Sequence, residues 1–377
     1  MAEYLTNTTD LTLVADAIRT KGGTTALLTY PDEFVTAIQA IQTGTELQII
    51  VTVESGATVT ATKGSLSISG ISVDGTCTLV VPEAGTWSVS AMLNGQTSNT
   101  QIVSVVDSYA VELTFFSVSS TLNDNEWSVI KFVSDSGQGA NYWSIGDRKA
   151  ITLNGTVGHL TLSNYTTYAF IIGFNHNSGL EGSNRIHFQL AKTALSGGKD
   201  VALCDSKYNS QVSATGYFSM NSGATNSGGW ELSQMRVKIC GTSLSSYSGT
   251  IIAVIPAALR AVLKSVTKYT DNIGNRTDAS AVTSTTDYFF LLSEYEVFGK
   301  ISRGNRNESS KQAQYSYYKA GNRKVKYKHS ATSTAVYWWL RNPVSSSNSE
   351  FVYVYTGGEV ASSYAYSSKG VAPGFCV

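Results

Sequence analysis

The sequence predicts three modules in chain order: a short helical segment, an all-β sandwich, and a larger domain of mixed α+β structure. At 377 residues the chain is longer than one ordinary core organises, which favours two or three domains. The apolar residues change from helical spacing to short alternating runs near residue 46. Hydrophobic residues make up 42% of the chain and charged residues only 14%, a balance typical of loop-rich β proteins with packed cores.

Residues 1–45 are predicted to form two short helices. Each helix has apolar residues at helical spacing. These residues are Leu11, Val14 and Ile18 in the first helix, and Phe34, Ile38 and Ile41 in the second. Gly22-Gly23 ends the first helix, and Pro31 suits the first turn of the second. A helical hairpin of this size is too small to be stable alone, so we expect it to dock on another copy or on a partner protein.

Residues 46–118 have the pattern of a small β-sandwich, in which short runs of β-branched and aromatic residues alternate with turn residues. The predicted strands are Leu47–Val53, Ala57–Thr62, Cys77–Val81, Trp87–Leu93, Gln101–Val106 and Ala110–Phe116. The segment has no histidine and few carboxylates. We therefore expect a spacer domain rather than a site of chemistry.

Residues 119–377 are predicted to form an α+β domain with long loops. The predicted strands are Trp127–Val133, Lys149–Leu153, Ala169–Gly173, Tyr288–Leu292, Tyr337–Pro343 and Phe351–Tyr355, and the predicted helix is Pro256–Val266. A turn at Thr356-Gly357-Gly358 would return the last of these strands as a hairpin. The final 40 or so residues are rich in tyrosine and serine, residues that give recognition surfaces large contact area and adaptable hydrogen bonds. Alternating tyrosines also suit an ordinary half-solvated sheet.

The charge balance argues against binding to polyanions. Lys plus Arg and Asp plus Glu number 27 each, so no global field steers nucleic acid or an anionic membrane surface. No stretch has the length of a transmembrane helix, and residues 1–5 lack the features of a signal peptide. We therefore expect that the protein is made in a cytoplasm and does not insert into a membrane. The four cysteines lie far apart in the chain, which predicts free, buried thiols rather than disulfides or a zinc site.

Residues capable of catalysis are present but lack a catalytic pattern. The histidines, His159, His176, His187 and His329, fit no metal-binding spacing and are predicted to be structural. Spacing alone leaves a Ser-His-Asp arrangement open, but no G-x-S-x-G elbow supports one. Glu294 and Glu296 are predicted to share one face of a strand and to pair with Arg260 or Arg341, with acid–base chemistry as the alternative.

Lys324, Lys326 and Lys328 alternate along an extended segment and are predicted to lie on one face. Lysines on an edge strand block unwanted pairing between sheets, which is the interpretation we favour. The alternative is that they hold an acidic ligand.

The tail resembles a specific family. WWLRNP, a stretch rich in serine, asparagine and tyrosine, and then GVAPGF resemble the ending WLRSP…GVRPAF of C-type-lectin-like domains. These domains occur in gut-bacterial and phage proteins, including the variable proteins of diversity-generating retroelements. Upstream segments such as Tyr142–Asp147 and Ile255–Arg260 agree, so the resemblance covers roughly residues 120–377. Ala372 and Gly374 depart from the family pattern, which usually has Arg and Ala there.

The resemblance implies a phage-type receptor-binding protein, or adhesin. Leu13–Arg19 and Leu28–Asp32 resemble the attachment segment of phage tail proteins, and the middle domain resembles the immunoglobulin-like spacers beside them. The implied location is a virion tail, with the helical module binding other tail proteins and the protein assembling as a homo-oligomer, for which we expect a trimer. The implied partner is a bacterial surface protein or glycan. The tail lacks a cluster of acidic and amide ligands, so we expect no metal and no cofactor.

The resemblance also assigns site residues within a variable-type segment, residues 344–369. The predicted ligand-binding residues are Ser345, Ser347, Asn348, Tyr353, Tyr355, Ser363, Tyr364, Tyr366 and Ser368. The predicted scaffold residues are Trp338, Trp339, Arg341, Gly370, Pro373 and Phe375. If a retroelement diversifies the tail by mutating adenines in AAC or AAT codons, Glu350, Glu359 and Lys369 are fixed, because such codons cannot become Glu or Lys.

The sequence has two alternative interpretations, a structural subunit and a hydrolase. A purely structural tail subunit would need no partner beyond the virion. A tail-associated hydrolase would need paired carboxylates in a cleft, which the sequence does not indicate. The lectin-like fold is shared with formylglycine-generating enzymes, but these use a close cysteine pair near the C-terminus, where this chain has only Cys376. We therefore expect a binding protein and not an enzyme.

Overall fold

The computed structural model describes residues 8–22, 27–40, 46–193 and 198–377. It is a mixed α+β structure in which strand exceeds helix, at 37% against 21%. The chain divides into two compact units, Met1–Phe116 and Ser117–Val377. Within the described residues, no helix is long and apolar enough to cross a membrane.

The first unit begins with two helices, α1 (Thr8–Gly22) and α2 (Asp32–Ala40), which confirms the predicted helices. Ala15, Ile18 and Phe34 form a small buried cluster between them. The predicted apolar stripes are partly wrong, because Val14 and Ile38 are exposed. Ile41, assigned to the second stripe, and Gly23, assigned to the end of the first helix, lie outside the described residues.

The rest of the first unit consists of two sheets around one core. Its strands are β1 (Gln48–Thr52), β2 (Thr58–Lys63), β3 (Leu66–Ile71), β4 (Thr76–Val80), β5 (Gly85–Leu93), β6 (Gln96–Thr97), β7 (Gln101–Val105) and β8 (Ser108–Glu112). One sheet has the order β4-β1-β8, and the other has the order β3-β2-β5-β6 with β7 also pairing β5. All six predicted strands are present. In strands such as β4 and β5, successive side chains alternate between core and solvent. The sequence pattern did not predict strands β3 and β6.

The second unit has many short elements. Its helices are α3 (Trp127–Asp135), α4 (Gly139–Tyr142), α5 (Ser178–Glu181), α6 (Gly229–Leu232), α7 (Ile251–Val254), α8 (Ala257–Arg260), α9 (Glu294–Phe298) and α10 (Ser316–Lys319). Its strands are β9 (Arg148–Val157), β10 (Leu160–Phe174), β11 (Ile186–Lys192), β12 (Val201–Ala202), β13 (Val266–Asp271), β14 (Val282–Asp287), β15 (Phe289–Phe290), β16 (Lys326–Lys328), β17 (Ala331–Val336), β18 (Trp338–Pro343), β19 (Glu350–Val354), β20 (Val360–Tyr364) and β21 (Gly374–Cys376). Short 3-10 turns cover Leu122–Asp124, Ala279–Ala281 and Arg306–Ser310, and a π-helical turn covers Met235–Cys240.

In the described part of this second unit, residues 117–193 and 198–377, the strands form four sheets. The largest has the order β15-β21-β11-β10-β9, and the others are β12-β16-β17, β13-β14 and β18-β19-β20. The C-terminal strand β21 lies inside the large sheet, where Phe375 packs against Phe188 and Phe289 with ring centroids 5.3 and 5.1 Å apart. The end of the chain is therefore part of the core, which explains why the tail motif is dense in apolar residues.

The first strand predicted for this unit is wrong. Trp127–Val133 is not extended but belongs to α3, in which Trp127, Ile130 and Val133 are buried at helical spacing. β-Branched and aromatic composition favoured a strand, and packing of one face of the segment on the core overrode that preference.

The predicted helix Pro256–Val266 is also shorter than expected, because the helix ends at Arg260 and Val266 begins β13. The Arg260 guanidinium donates to the carbonyls of Ile252, Ala253 and Ile255 at 2.9 to 3.1 Å. These hydrogen bonds satisfy backbone carbonyl groups at the end of helix α7 and hold the chain in a compact bend before α8.

Two predictions about charged segments are wrong as well. Glu294 and Glu296 lie in helix α9, not in a strand, because Ser293 and Glu296 form a capping box. Lys326 does not lie on an edge strand, because β16 runs between β12 and β17. Lys326 is fully buried with its Nζ 3.1 Å from Gln189 Oε1.

Candidate functional site

The candidate site is built on the sheet formed by β18, β19 and β20. Strand β19 pairs antiparallel with both neighbours, and Val354 lies opposite Val360. The turn between β19 and β20 closes where Tyr355 N–H donates to the Glu359 carbonyl at 2.7 Å. The predicted hairpin is therefore confirmed.

All six predicted scaffold residues are buried. Trp338 and Trp339 donate their indole N–H groups to the carbonyls of Lys324 and Phe218, at 2.9 and 3.0 Å.

Two glycines near the end of the chain are required sterically. At Gly370, a Cβ would lie 2.8 Å from the Tyr337 carbonyl oxygen and from Ala202 Cβ. Gly374 is constrained in a similar way, since a Cβ there would lie 2.7 Å from the Phe290 ring.

Two buried polar side chains from outside the tail hold residues 344–369 in place. Asn226 Nδ2 donates to the carbonyls of Ser347 and Glu350 at 2.6 and 3.0 Å. Asp205 accepts from the Ser368 hydroxyl at 2.8 Å and from the Phe218 N–H at 2.5 Å. Because buried hydrogen bonds of this kind resist rearrangement, the segment is a preorganised surface.

The nine predicted ligand-binding residues differ in exposure. Asn348, Tyr355 and Tyr364 are exposed, and Ser345, Ser347, Ser363 and Tyr366 are partly exposed. The assignment of Tyr353 and Ser368 to an exposed surface is wrong, because their side chains are 9% and 0% exposed. Tyr353 packs edge-on against Trp339, and Ser368 is held by Asp205.

The register of β19 and β20 divides the tyrosines between two faces. Glu350 lies opposite Tyr364, while Phe351 lies opposite Ser363. Because cross-strand partners point to the same side and successive residues alternate, Tyr364 shares a face with Glu350. Tyr353 lies on the other face, so the tyrosines do not form the single surface that the sequence predicted.

One face carries a group of four rings that we call the tyrosine cluster: Tyr208, Tyr337, Tyr353 and Tyr355. The Tyr337 centroid lies 5.4 Å from that of Tyr353, 5.0 Å from that of Tyr355 and 6.3 Å from that of Tyr208. The Tyr208 hydroxyl accepts from the Tyr337 N–H at 2.8 Å. Only Tyr353 and Tyr355 were predicted, because Tyr208 is far away in sequence and Tyr337 was assigned to the strand.

Lys369 lies beneath this cluster. Its Nζ is 4.4 Å from the Tyr353 centroid, 4.9 Å from that of Tyr337 and 5.4 Å from that of Trp339, which are cation–π distances. Burial of the ammonium lowers the pKa of Lys369 to about 8. The amine is still mostly protonated at neutral pH and holds three rings in place.

A second group of polar side chains lies in the core and resembles a catalytic or metal site in composition. His176, Glu181 and Glu296 have ligand atoms within 4.8 Å of one another. The Lys268 ammonium already lies among them, 2.6 Å from Glu181 Oε2 and 2.9 Å from Glu296 Oε1. Arg341 adds two further bonds to Glu296, at 2.5 and 2.9 Å. We name Glu181, Lys268, Glu296 and Arg341 the buried ion cluster.

The electrostatics of this cluster favour a structural role. Burial opposes ionisation of Glu296, but the charges of Arg341 and Lys268 outweigh it and lower the pKa of that carboxyl. Burial and the nearby Lys268 charge lower the pKa of His176 to about 3, so the imidazole is neutral at pH 7. The predicted ion pair with Arg341 is confirmed for Glu296 but not for Glu294, which accepts from Ser302 and from the Gly304 N–H. Arg260 bonds to carbonyls instead.

Cys376 and His187 form a close pair, with Sγ 3.3 Å from Nδ1. Burial raises the pKa of the Cys376 thiol to about 12 and lowers the pKa of His187. A nucleophilic cysteine needs the opposite shifts, a thiolate beside an imidazolium. All four cysteines are buried and free, as predicted.

Comparison with known proteins locates one similarity. A family model described as a domain of unknown function, DUF6273, matches residues 211–377. This region includes the β18–β19–β20 sheet and all the predicted site residues. No curated protein matches the chain significantly. No solved structure does so either.

Proposed function

We propose that the protein is a phage-type adhesin that binds a bacterial surface protein or glycan through the tyrosine cluster and the loop at the other end of the β18–β19 hairpin, residues 344–349. The observation that carries the proposal is an aromatic surface of four tyrosines, in which Tyr337 and Tyr353 pack over Lys369 and Tyr355 is exposed. Such rings supply a large contact area with little side-chain entropy left to lose. The tail would be a variable-type segment in a C-type-lectin-like domain.

The hydrogen-bond anchors support recognition rather than a flexible linker role. The carbonyls of the loop bond to Asn226, while the Asn348 side chain is exposed. A surface with a fixed backbone and free side chains tolerates substitution at those side chains. This arrangement suits a recognition site that changes from one sibling protein to another.

The helical module would attach or oligomerise the protein. Leu13, Val14, Val35 and Ile38 are 48 to 63% exposed on α1 and α2. Large apolar side chains on so small a hairpin favour association with another copy or a tail protein. Several copies on one particle would raise the strength of weak individual contacts.

Binding of the full-length, fluorescently labelled chain to a panel of gut-bacterial isolates tests the proposal. The double variant Tyr355→Ala/Tyr364→Ala removes two rings that are 43% and 46% exposed. The matched control, Tyr109→Ala/Tyr142→Ala, removes two rings that are 42% and 43% exposed and that do not belong to residues 344–369. We expect the first variant to lose at least about tenfold in affinity, as interface tyrosines often do, and the control to bind as wild type.

The single variants assign the face, since Tyr355 and Tyr364 lie on opposite sides of the sheet. Equal losses in the tail variant and the control would place the site elsewhere. If the wild-type chain binds none of the isolates but assembles with tail proteins, the structural-subunit function replaces this proposal. A hydrolase is disfavoured because Glu181 and Glu296 are buried and bonded to Lys268 rather than facing a cleft.

A further inference from the structure

A cavity of about 850 Å³ opens in the second unit, and no residue of the tyrosine cluster lines it. It is lined by the start of β9, the end of β11, α10 and β16, and most of its lining residues are polar. This volume is within the range of small-molecule binding sites. The adhesin proposal does not use this cavity.

The wall of the cavity contains an unsatisfied cation. Arg148, the first residue of β9, is only 9% exposed, and its Nη1 has no hydrogen-bond partner among the described residues. Leaving a guanidinium donor buried and unpaired is costly, and such groups in folded proteins usually mark a bound water, ion or ligand. The sequence analysis did not single out Arg148.

The remaining charges leave the cavity with an excess of positive charge. Its lining contains four cations, Arg148, Lys192, Lys199 and Arg323, and two carboxylates, Asp147 and Asp200, which leaves a net charge of +2.

The carboxylates are already occupied. Asp200 is paired with Lys192 and accepts from the Tyr317 hydroxyl at 3.1 Å. Asp147 accepts from the Ser144 N–H in its own turn at 2.8 Å.

Of the cations, two are committed to the protein and two are not. Lys192 pairs with Asp200, and Lys199 donates to the Thr332 carbonyl at 2.9 Å. Arg323 has neither an ion pair nor a hydrogen bond within the described part of the chain and is exposed at the cavity. Arg323, which is exposed at the cavity, and Arg148, whose unpartnered Nη1 is buried in the wall, are therefore the cations left to a ligand.

We propose that this cavity binds a small ligand that presents a carboxylate to Arg148 and Arg323. The guanidinium fork matches the two oxygens of a carboxylate, which makes arginine the preferred residue for this recognition. Tyr317 and Tyr327 also line the cavity. Asn322 donates to the Tyr317 carbonyl at 2.8 Å, which leaves its own carbonyl oxygen to accept from a hydroxyl. An acidic sugar and a short peptide or amino-acid carboxylate share this chemistry.

Titration calorimetry and saturation-transfer NMR on the full-length chain test the proposal with three probes: D-glucuronate, D-glucose and N-acetylglycine. We expect glucuronate to bind and glucose, which lacks the carboxylate, not to bind at about 10 mM. If N-acetylglycine binds equally well, the carboxylate alone is recognised. If glucuronate binds and N-acetylglycine does not, the ligand class is an acidic sugar.

Variants assign the binding to the cavity. Arg148→Gln and Arg323→Gln each should weaken glucuronate binding by at least about tenfold, as loss of a bidentate charged contact does. Arg306→Gln, which removes an exposed arginine outside the cavity, should bind as wild type. Arg148→Lys keeps the charge but loses the fork, and it covers the case in which Arg148→Gln does not fold.

Three results would overturn the proposal: no binding of either carboxylate, equal binding of glucose, or unchanged binding in both Arg323→Gln and the folded Arg148 variant. None of these results bears on the tyrosine cluster. Cell binding by the adhesin is measured with Tyr355 and Tyr364 variants, in which the cavity is intact, so failure of one proposal is distinguishable from failure of the other.

Discussion

The core of the sandwich in the first unit and the core of the second unit differ in what they bury. In the described part of the sandwich the buried polar side chains are Ser72 and Ser98, and the rest of the core is apolar. The second unit fully buries charged side chains, among them Lys268, Glu296 and Arg341. Lys268 and Glu181 pair across 87 residues of sequence. An apolar core tolerates small changes of volume, whereas a core with buried ions depends on every partner being present.

Removing one charge of the buried ion cluster is the strongest test of this comparison. Glu296→Gln keeps the shape of the side chain but leaves Lys268 and Arg341 without their shared carboxylate. We expect the second unit to lose about 3–5 kcal/mol of stability, because uncompensated buried charges are costly. Hydrogen exchange at β11 and β13 measures the loss, and Glu359→Gln, at an exposed position, is the control.

Lys369 provides a pH-dependent test of buried charge. Burial lowers its folded-state pKa to about 8, while the unfolded chain keeps an ordinary value. Between these values the unfolded state binds more protons, so this lysine makes the folded protein more stable as pH rises. Below pH 8 the burial of the charged amine opposes folding.

The variant Lys369→Met removes this contribution. From pH 7.5 to 9.5, wild type should gain about 1–2 kcal/mol of stability relative to the variant. Urea unfolding of both proteins at the two pH values measures the difference. A difference that stays constant with pH would show that Lys369 titrates as an exposed lysine does.

A small change in the sandwich core should have a smaller effect. Ile49→Val deletes one methylene from a fully buried side chain in β1. We expect a cost of about 0.5–1.5 kcal/mol, the usual range for this substitution. Hydrogen exchange at β1 and β4 measures it. A larger loss than that of Glu296→Gln in its own unit would reverse the comparison between the two cores.

The exposed part of the candidate site should matter least for stability. Tyr355→Ala removes a side chain that is 43% exposed, and we expect unfolding by urea to change by less than about 0.5 kcal/mol. Tyr353→Ala, whose ring is buried against Trp339, should cost clearly more. Equal effects would mean that Tyr355 is a packing residue and would weaken its assignment to recognition.

The sequence predicted most strands of the first unit because side chains in strands such as β1, β4 and β5 alternate between core and solvent, and alternation is visible locally. It also predicted that the strand Phe351–Tyr355 returns as a hairpin, and that Glu296 pairs with one of two arginines, of which Arg341 is the partner. It was wrong where local composition and packing disagreed, as in α3, where residues that favour strands form a helix. It was also wrong for Lys326, because the place of a strand within a sheet is not encoded in the strand itself.

For the candidate site, the sequence by itself determined which residue types are available and that the tail holds a scaffold of buried aromatics. Only the tertiary structure decided which tyrosines share a face, since this depends on the register of β19 against β20. It also decided that Tyr208 joins Tyr337, that Asn226 and Asp205 anchor the tail, and that Arg148 is left unpaired in a cavity. Each of these facts depends on side chains that are distant in sequence, and such contacts follow from packing rather than from any local pattern.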